Sequence, residues 1–177
     1  MIRIQPIRTS DVQYYQFMEK LLTTAFPPEE YRELNALRRI TDQAGNFHNN
    51  ILLEGDTPIG FITYWDFGHF YYVEHFAIDP ILRNGGYGQK VLASLREKLE
   101  CPIVLEVEMP QEELAQRRIN FYKRHGYTLW EKEYYQPPYK PGYDFLPMYL
   151  MVHGDLKCER DFEEIKKKIH QEVYNVK

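Results

Sequence analysis

Residues 77–95 read AIDPILRNGGYGQKVLASL, and the order of residue types along this run decides the fold. An apolar strand ends at Ile78 and a short loop follows. Glycines at 85, 86 and 88 then lead into an amphipathic helix with Val91, Leu92, Leu95 and Leu99 on its apolar face. Such a strand-to-helix junction gathers main-chain N–H groups at the positive end of a helix dipole. With no side chains at Gly85, Gly86 and Gly88, a diphosphate can approach those amides closely, and Arg83 can add a charge-assisted hydrogen bond. A tight turn that simply requires glycine explains the same residues equally well. The spacing does exclude two better-known phosphate loops: GGYG lacks the GxGxxG order, and no GK[ST] follows.

Upstream of this run the pattern is β. NNILLEG, TPIGFITYWDF and HFYYVEHFAID are separated by Gly55-Asp56 and by Gly68, where turns form easily, so residues 48–78 read as an antiparallel meander. Ile2 and Ile4 alternate with polar residues as a short half-buried strand does. Ser10 with Gln13 has the capping-box spacing, opening a helix whose apolar face is Tyr15, Met18, Leu21 and Leu22. Pro27 ends that helix before Phe26, and Pro28, Glu29 and Glu30 suit the first turn of a second one running through Leu34, Leu37 and Ile40.

Downstream, PIVLEVE is a strand, and EELAQRRINFYKRH is a helix stopped by Gly126 at the C′ position. YTLWEKEYY and DFLPMYLMV are strands joined by QPPYKPGY, which has too much Pro and Gly for a regular element. Residues 161–175 form a terminal amphipathic helix with Phe162, Ile165, Ile169 and Val173 on one stripe. No repeat or linker interrupts the pattern, so residues 1–177 are expected to form a single domain with that helix as an appendage.

Composition bounds the function. A net charge of −4 opposes a main role in neutralising phosphates along a nucleic acid, and makes a cationic partner electrostatically easier. Cys101 and Cys158 lack CxxC spacing, the six histidines show no ligand spacing such as HExxH, and no stretch approaches a membrane span. The expectations are therefore no metal, no nucleic acid, no membrane and a cytoplasmic location.

The run R-N-G-G-Y-G resembles the acetyl-CoA loop [QR]xxGx[GA] of the Gcn5-related N-acetyltransferase (GNAT) family, with Arg83, Gly86 and Gly88 at the defining positions. IDPILRNGGYG is similar in length and layout to that family's V-D-P-x-x-R-x-x-G-x-G segment, and FYKRHGY at 121–127 is similar to its F-Y-x-x-x-G-F motif. The resemblance implies an α/β fold: a mixed, mostly antiparallel sheet, splayed between strands 72–78 and 103–108, with helices on both faces. It implies acetyl-CoA as cofactor, its diphosphate over Arg83, Asn84, Gly85, Gly86, Tyr87, Gly88 and Gln89. The main chain of Phe76, Ala77 and Ile78 would meet the pantetheine amides and the thioester carbonyl.

By the same resemblance Tyr122 is the general acid that protonates the departing thiolate. A phenol near pKa 10 can do so without ionising at neutral pH. The helical spacing from Ala115 and Ile119 equally allows a core tyrosine with a satisfied hydroxyl. Glu74 occupies the place of the family's glutamate base, directly or through water, with an outward ion-paired carboxylate as the alternative. Ala115 stands where the family commonly has a cofactor-contacting Asn, so Arg117 or Arg118 would replace that contact or form an exposed basic face.

Glu106 and Glu108 share one face of a strand and would either attract a cation or be solvated. Tyr134, Tyr135, Tyr139 and Tyr143 lie in or beside a loop that would close over an acceptor or form the surface of a homodimer. The implied activity is acetyl transfer from acetyl-CoA to a small-molecule primary amine. The alternative is a non-catalytic acyl-CoA-binding or regulatory module.

Overall fold

A computed structural model of the chain describes residues 1–100 and 102–176, and Cys101 lies outside them. Among the described residues the elements follow in the order β1 (Ile2–Pro6), α1 (Val12–Ala25), α2 (Leu34–Gln43), β2 (Phe47–Glu54), β3 (Thr57–Asp66), β4 (Tyr71–Ile78), α3 (Tyr87–Lys98), β5 (Ile103–Glu108), α4 (Glu113–Arg124), β6 (Thr128–Gln136), β7 (Leu146–His153) and α5 (Cys158–Glu172). The residues cluster into two compact units, one of residues 1–66 and 73–100, the other of 67–72 and 101–177.

The first unit carries strands in the order β1-β2-β3-β4, with β1–β2 and β2–β3 antiparallel. Residues 51–53 of β2 and 59–65 of β3 are buried without alternation. Strands buried on both sides must be covered on both faces, and α1, α2 and α3 pack against this group. Ile51, Leu52, Leu53, Phe61 and Ile62 have no exposure, and burying each such side chain contributes roughly 1.5–3 kcal/mol. Gly55, at φ +60°, closes the tight β2–β3 turn. The register shifts between Leu52 and Leu53, where Pro58, which lacks an N–H, enters the ladder.

Helix α1 buries Tyr15, Met18, Leu21 and Leu22 as expected and ends with Phe26 extended before Pro27. Its start differs from the expectation. Asp11, not Ser10, is the N-cap residue and its side chain makes no cap bond to the helix, because its carboxylate accepts the Arg8 N–H at 2.8 Å. The second helix also differs. Pro28–Glu30 form only a 3-10 turn, Tyr31 is extended, and α2 begins at Leu34.

In the second unit β7 lies between β5 and β6, antiparallel to both. The β6–β7 register breaks between Trp130 and Tyr134, and Tyr134 emerges facing inward, 1% exposed. Helix α4 closes with Gly126 at φ +89°, the Tyr127 N–H reaching the Tyr122 carbonyl at 3.0 Å and the Gly126 N–H the Lys123 carbonyl at 3.2 Å. That is the glycine C′ termination read from the sequence. Helix α5 begins at Cys158, three residues before the expected start, where the Asp161 carboxylate accepts the Lys157 N–H at 2.8 Å.

Candidate functional site

In the first unit, β4 ends against β3 at very close range. A Cβ on Gly60 would lie 2.3 Å from the Ala77 carbonyl oxygen, and the Asp79 N–H donates to the Ile59 carbonyl at 2.8 Å. Glycine at 60 is therefore what lets the end of β4 lie where it does, a requirement not noticed in the sequence. Phe76 and Ile78 are half-buried and Ala77 is buried. Beyond them the Asp79 carboxylate accepts the Ile81 N–H at 3.1 Å, capping a single 3-10 turn over Pro80–Leu82.

The loop then turns through left-handed conformations at Asn84 (φ +69°) and Gly86 (φ +78°), and Gly86 is the N-cap of α3. The first amide of this stretch with an acceptor is Lys90, which donates to the Gly86 carbonyl at 3.2 Å. Among the described residues the N–H groups of Asn84, Gly85, Gly86, Tyr87, Gly88 and Gln89 have no backbone acceptor. Nothing lies within 4 Å of a Cβ built on Gly86, and Arg83 to Gly86 are exposed. Unmet amides, a helix dipole and a guanidinium at an open surface make a cradle for a doubly charged anion. The residues present fit the diphosphate of coenzyme A.

Glu74, on β4, is not a free carboxylate. Its side chain is fully buried, with Oε2 2.8 Å from Arg32 Nη2 and Oε1 accepting from Arg32 Nη1 at 3.3 Å and from Trp65 Nε1 at 2.7 Å. The Arg32 guanidinium also lies 5.9 Å from the centre of the Trp65 ring. Next along β4, His75 donates from Nε2 to the Glu30 carbonyl at 2.8 Å and packs edge-on against Phe26. Burial pushes the His75 pKa down, the Glu74 charge only partly opposing it. Residues 26–32 are thus held to β4 at two points. This explains the extended backbone at Tyr31: Arg32 has to reach Glu74. Arg32 and Trp65 were not singled out in the sequence, since neither belongs to a motif.

In the second unit Tyr122 sits on α4, half-buried, its ring edge-on to Phe121 and Tyr127. Its hydroxyl makes no hydrogen bond with a described residue. Burial pushes its pKa up to about 12, opposed by Arg118, so the phenol holds its proton at neutral pH. Ala115 is 5% exposed, while Arg117 pairs with Glu113 at 2.7 Å and Arg118 approaches Glu108 at 4.0 Å. The loop tyrosines divide. Tyr134 is a buried residue of β6, as the strand reading expects, and its hydroxyl donates to Glu106; Tyr135 and Tyr143 are exposed. Among the described residues no group of three or more His, Cys, Asp or Glu could hold a metal ion, and no helix is long and apolar enough to cross a membrane.

A strand-to-helix turn with open amides on a mostly antiparallel α/β framework fits the acetyltransferase class. The chain belongs to the acetyltransferase (GNAT) family, whose model matches residues 12–127. It is 69% identical to a solved structure described as a GNAT-family acetyltransferase from Bacteroides thetaiotaomicron, with 99% of each chain covered and a TM-score of 0.97. The fold is shared more distantly with the ribosomal-protein-S18-alanine N-acetyltransferase of Escherichia coli (20% identity, TM-score 0.59, 86% of this chain and 93% of that one covered). It is also shared with an aminoglycoside 6'-N-acetyltransferase complexed with coenzyme A (15% identity, TM-score 0.60, 88% and 98% covered). No curated protein matches the chain by sequence.

Proposed function

We propose that the protein transfers the acetyl group of acetyl-CoA to a primary amine of a small molecule in the cytoplasm. The observation that carries this reading is the run of six unmet amides, from Asn84 to Gln89, beside Arg83 at the start of α3. An open anion cradle of that kind suits the cofactor's diphosphate.

Acetyl-CoA supplies a thioester, whose carbonyl carbon the amine nitrogen attacks while the C–S bond breaks. Main-chain groups at Phe76, Ala77 and Ile78 are assigned to the pantetheine arm and the thioester oxygen, where a fixed N–H stabilises developing negative charge. Tyr122 holds a proton and has a hydroxyl unengaged by any described residue, as an acid for the departing sulfur needs.

Glu74 is assigned the base, taking the ammonium proton through a water. Its oxygens already accept from Arg32 and Trp65, which opposes that assignment. The test is a panel of amines assayed for thiol release from acetyl-CoA. Saturable release with primary amines is expected, and release with hydroxyl or anionic acceptors alone would overturn the reading.

A further inference from the structure

A carboxylate removed from bulk water ordinarily has a cation beside it, because hydrogen bonds alone seldom offset the lost hydration. Glu106, on β5, does not. Its Oε1 accepts from the Tyr72 hydroxyl at 2.6 Å, the Tyr174 hydroxyl at 2.6 Å and Gln136 Nε2 at 2.8 Å, and its Oε2 accepts from the Tyr134 hydroxyl at 2.5 Å. Among the described residues no Lys, Arg or His pairs with it. Burial raises its pKa above the usual carboxylate range, the four hydrogen bonds only partly opposing it.

The tyrosines of the cluster are more deeply buried than Glu106 as a whole residue. Tyr72 and Tyr134 are 1% exposed and Tyr174 8%, whereas Glu106 keeps partial access to solvent. Each phenol directs a proton at Glu106, and the Tyr72 and Tyr174 hydroxyls lie 3.3 Å from each other. Tyr139 adds an aromatic face 4.9 Å from the Tyr174 ring. The assembly thus offers a carboxylate, phenol oxygens and aromatic surface, and among the described residues no cation is paired to the carboxylate. A primary ammonium is its complement, with one positive charge and three N–H donors.

Other cations fit less well. A guanidinium fork seeks both carboxylate oxygens, and Oε1 already accepts three hydrogen bonds, leaving capacity on Oε2. A quaternary ammonium has no N–H to give.

We infer that Glu106, with Tyr72, Tyr134 and Tyr174, forms a built site for a primary ammonium group and selects a cationic acceptor. The identification of the bound cation as the acceptor rests on the acetyl-transfer reading; the binding of the ammonium itself does not.

The experiment uses the full chain without acetyl-CoA and follows thermal stabilisation and calorimetric binding with 1,4-diaminobutane, methylammonium and tetramethylammonium at matched ionic strength. Saturable binding is expected for the two primary ammonium probes and not for tetramethylammonium. Glu106→Gln, which keeps the shape and removes the charge, should weaken diaminobutane at least tenfold, and Tyr134→Phe, which keeps the charge, should weaken it several-fold. No saturable binding of either primary probe to the wild type would overturn the inference. So would unchanged affinity in a folded Glu106→Gln protein or, if that variant does not fold, unchanged affinity in Tyr134→Phe.

Thiol release separates this inference from the functional reading. Glu106-dependent ammonium binding without acetyl transfer to any amine leaves the site standing and removes the transferase reading. Acetyl transfer whose amine KM is unmoved by Glu106→Gln does the reverse.

Discussion

Arg32 and Glu74, 42 residues apart, meet as a bidentate ion pair with Nη2 2.8 Å from Oε2, and the Glu74 side chain is wholly enclosed. Removing the carboxylate takes the charge partner from an almost buried guanidinium. Glu74→Gln should therefore cost about 3 kcal/mol of stability, read from denaturant midpoints. Arg32→Met tests the base role separately. Without the guanidinium the proton affinity of Glu74 rises, so if Glu74 is the base, the acid limb of the pH–rate profile moves to higher pH. An unmoved limb removes Glu74 from the chemistry.

Gly86→Val should weaken acetyl-CoA binding by calorimetry. The backbone at φ +78° is unfavourable for a β-branched residue, by about 1–2 kcal/mol, while the open space around it means that no protein atom is struck. The new side chain instead occupies the surface assigned to the diphosphate. Unchanged affinity would displace the cofactor from this loop.

Gly60→Ala has the opposite character. Its Cβ meets the Ala77 carbonyl oxygen at 2.3 Å, so β3 and β4 must part, and a loss of about 1–3 kcal/mol is expected in chemical denaturation. A neutral outcome would mean that the end of β4 is not tightly placed.

Stability should fall as pH drops below about 6.5, the ordinary histidine value. Burial is the largest cause of a lowered pKa at His75, His48 and His170 alike. With folded values below unfolded ones, the unfolded chain binds more protons in the window between them, so stability is fully present above about 6.5 and is lost as pH falls toward the folded values. Denaturation midpoints between pH 7.5 and 5 should show this slope, and His75→Gln should flatten it. An unchanged slope would exclude His75 as a contributor.

Tyr122→Phe should lower turnover by roughly tenfold to several hundredfold with little change in acetyl-CoA affinity. Because the hydroxyl makes no hydrogen bond with a described residue, melting temperature should barely move. Unchanged turnover where chemistry limits the rate would remove Tyr122 from the acid role.

What the amino-acid sequence determined by itself is local. The turn from Ile78 to Gln89 follows from a strand end, an Asp-Pro turn and glycines, all interactions within a few residues. The buried stripes of α1, α3 and α5 and the Gly126 termination of α4 follow from periodicity and backbone preference in the same way. Tertiary structure decided the rest. Residues 28–30 have helix-starting chemistry, yet the stretch after them is extended, because Arg32 and the Glu30 carbonyl are held by Glu74 and His75 on β4. Glu106 shows the same limit. Tyr72, Tyr134 and Tyr174 lie 34, 28 and 68 residues from it, and each reads alone as an ordinary apolar or loop tyrosine. Strand pairing and the inward turn of Tyr134 after the β6 irregularity bring them to one carboxylate, and such long-range register is set by packing of the whole unit rather than by any local spacing.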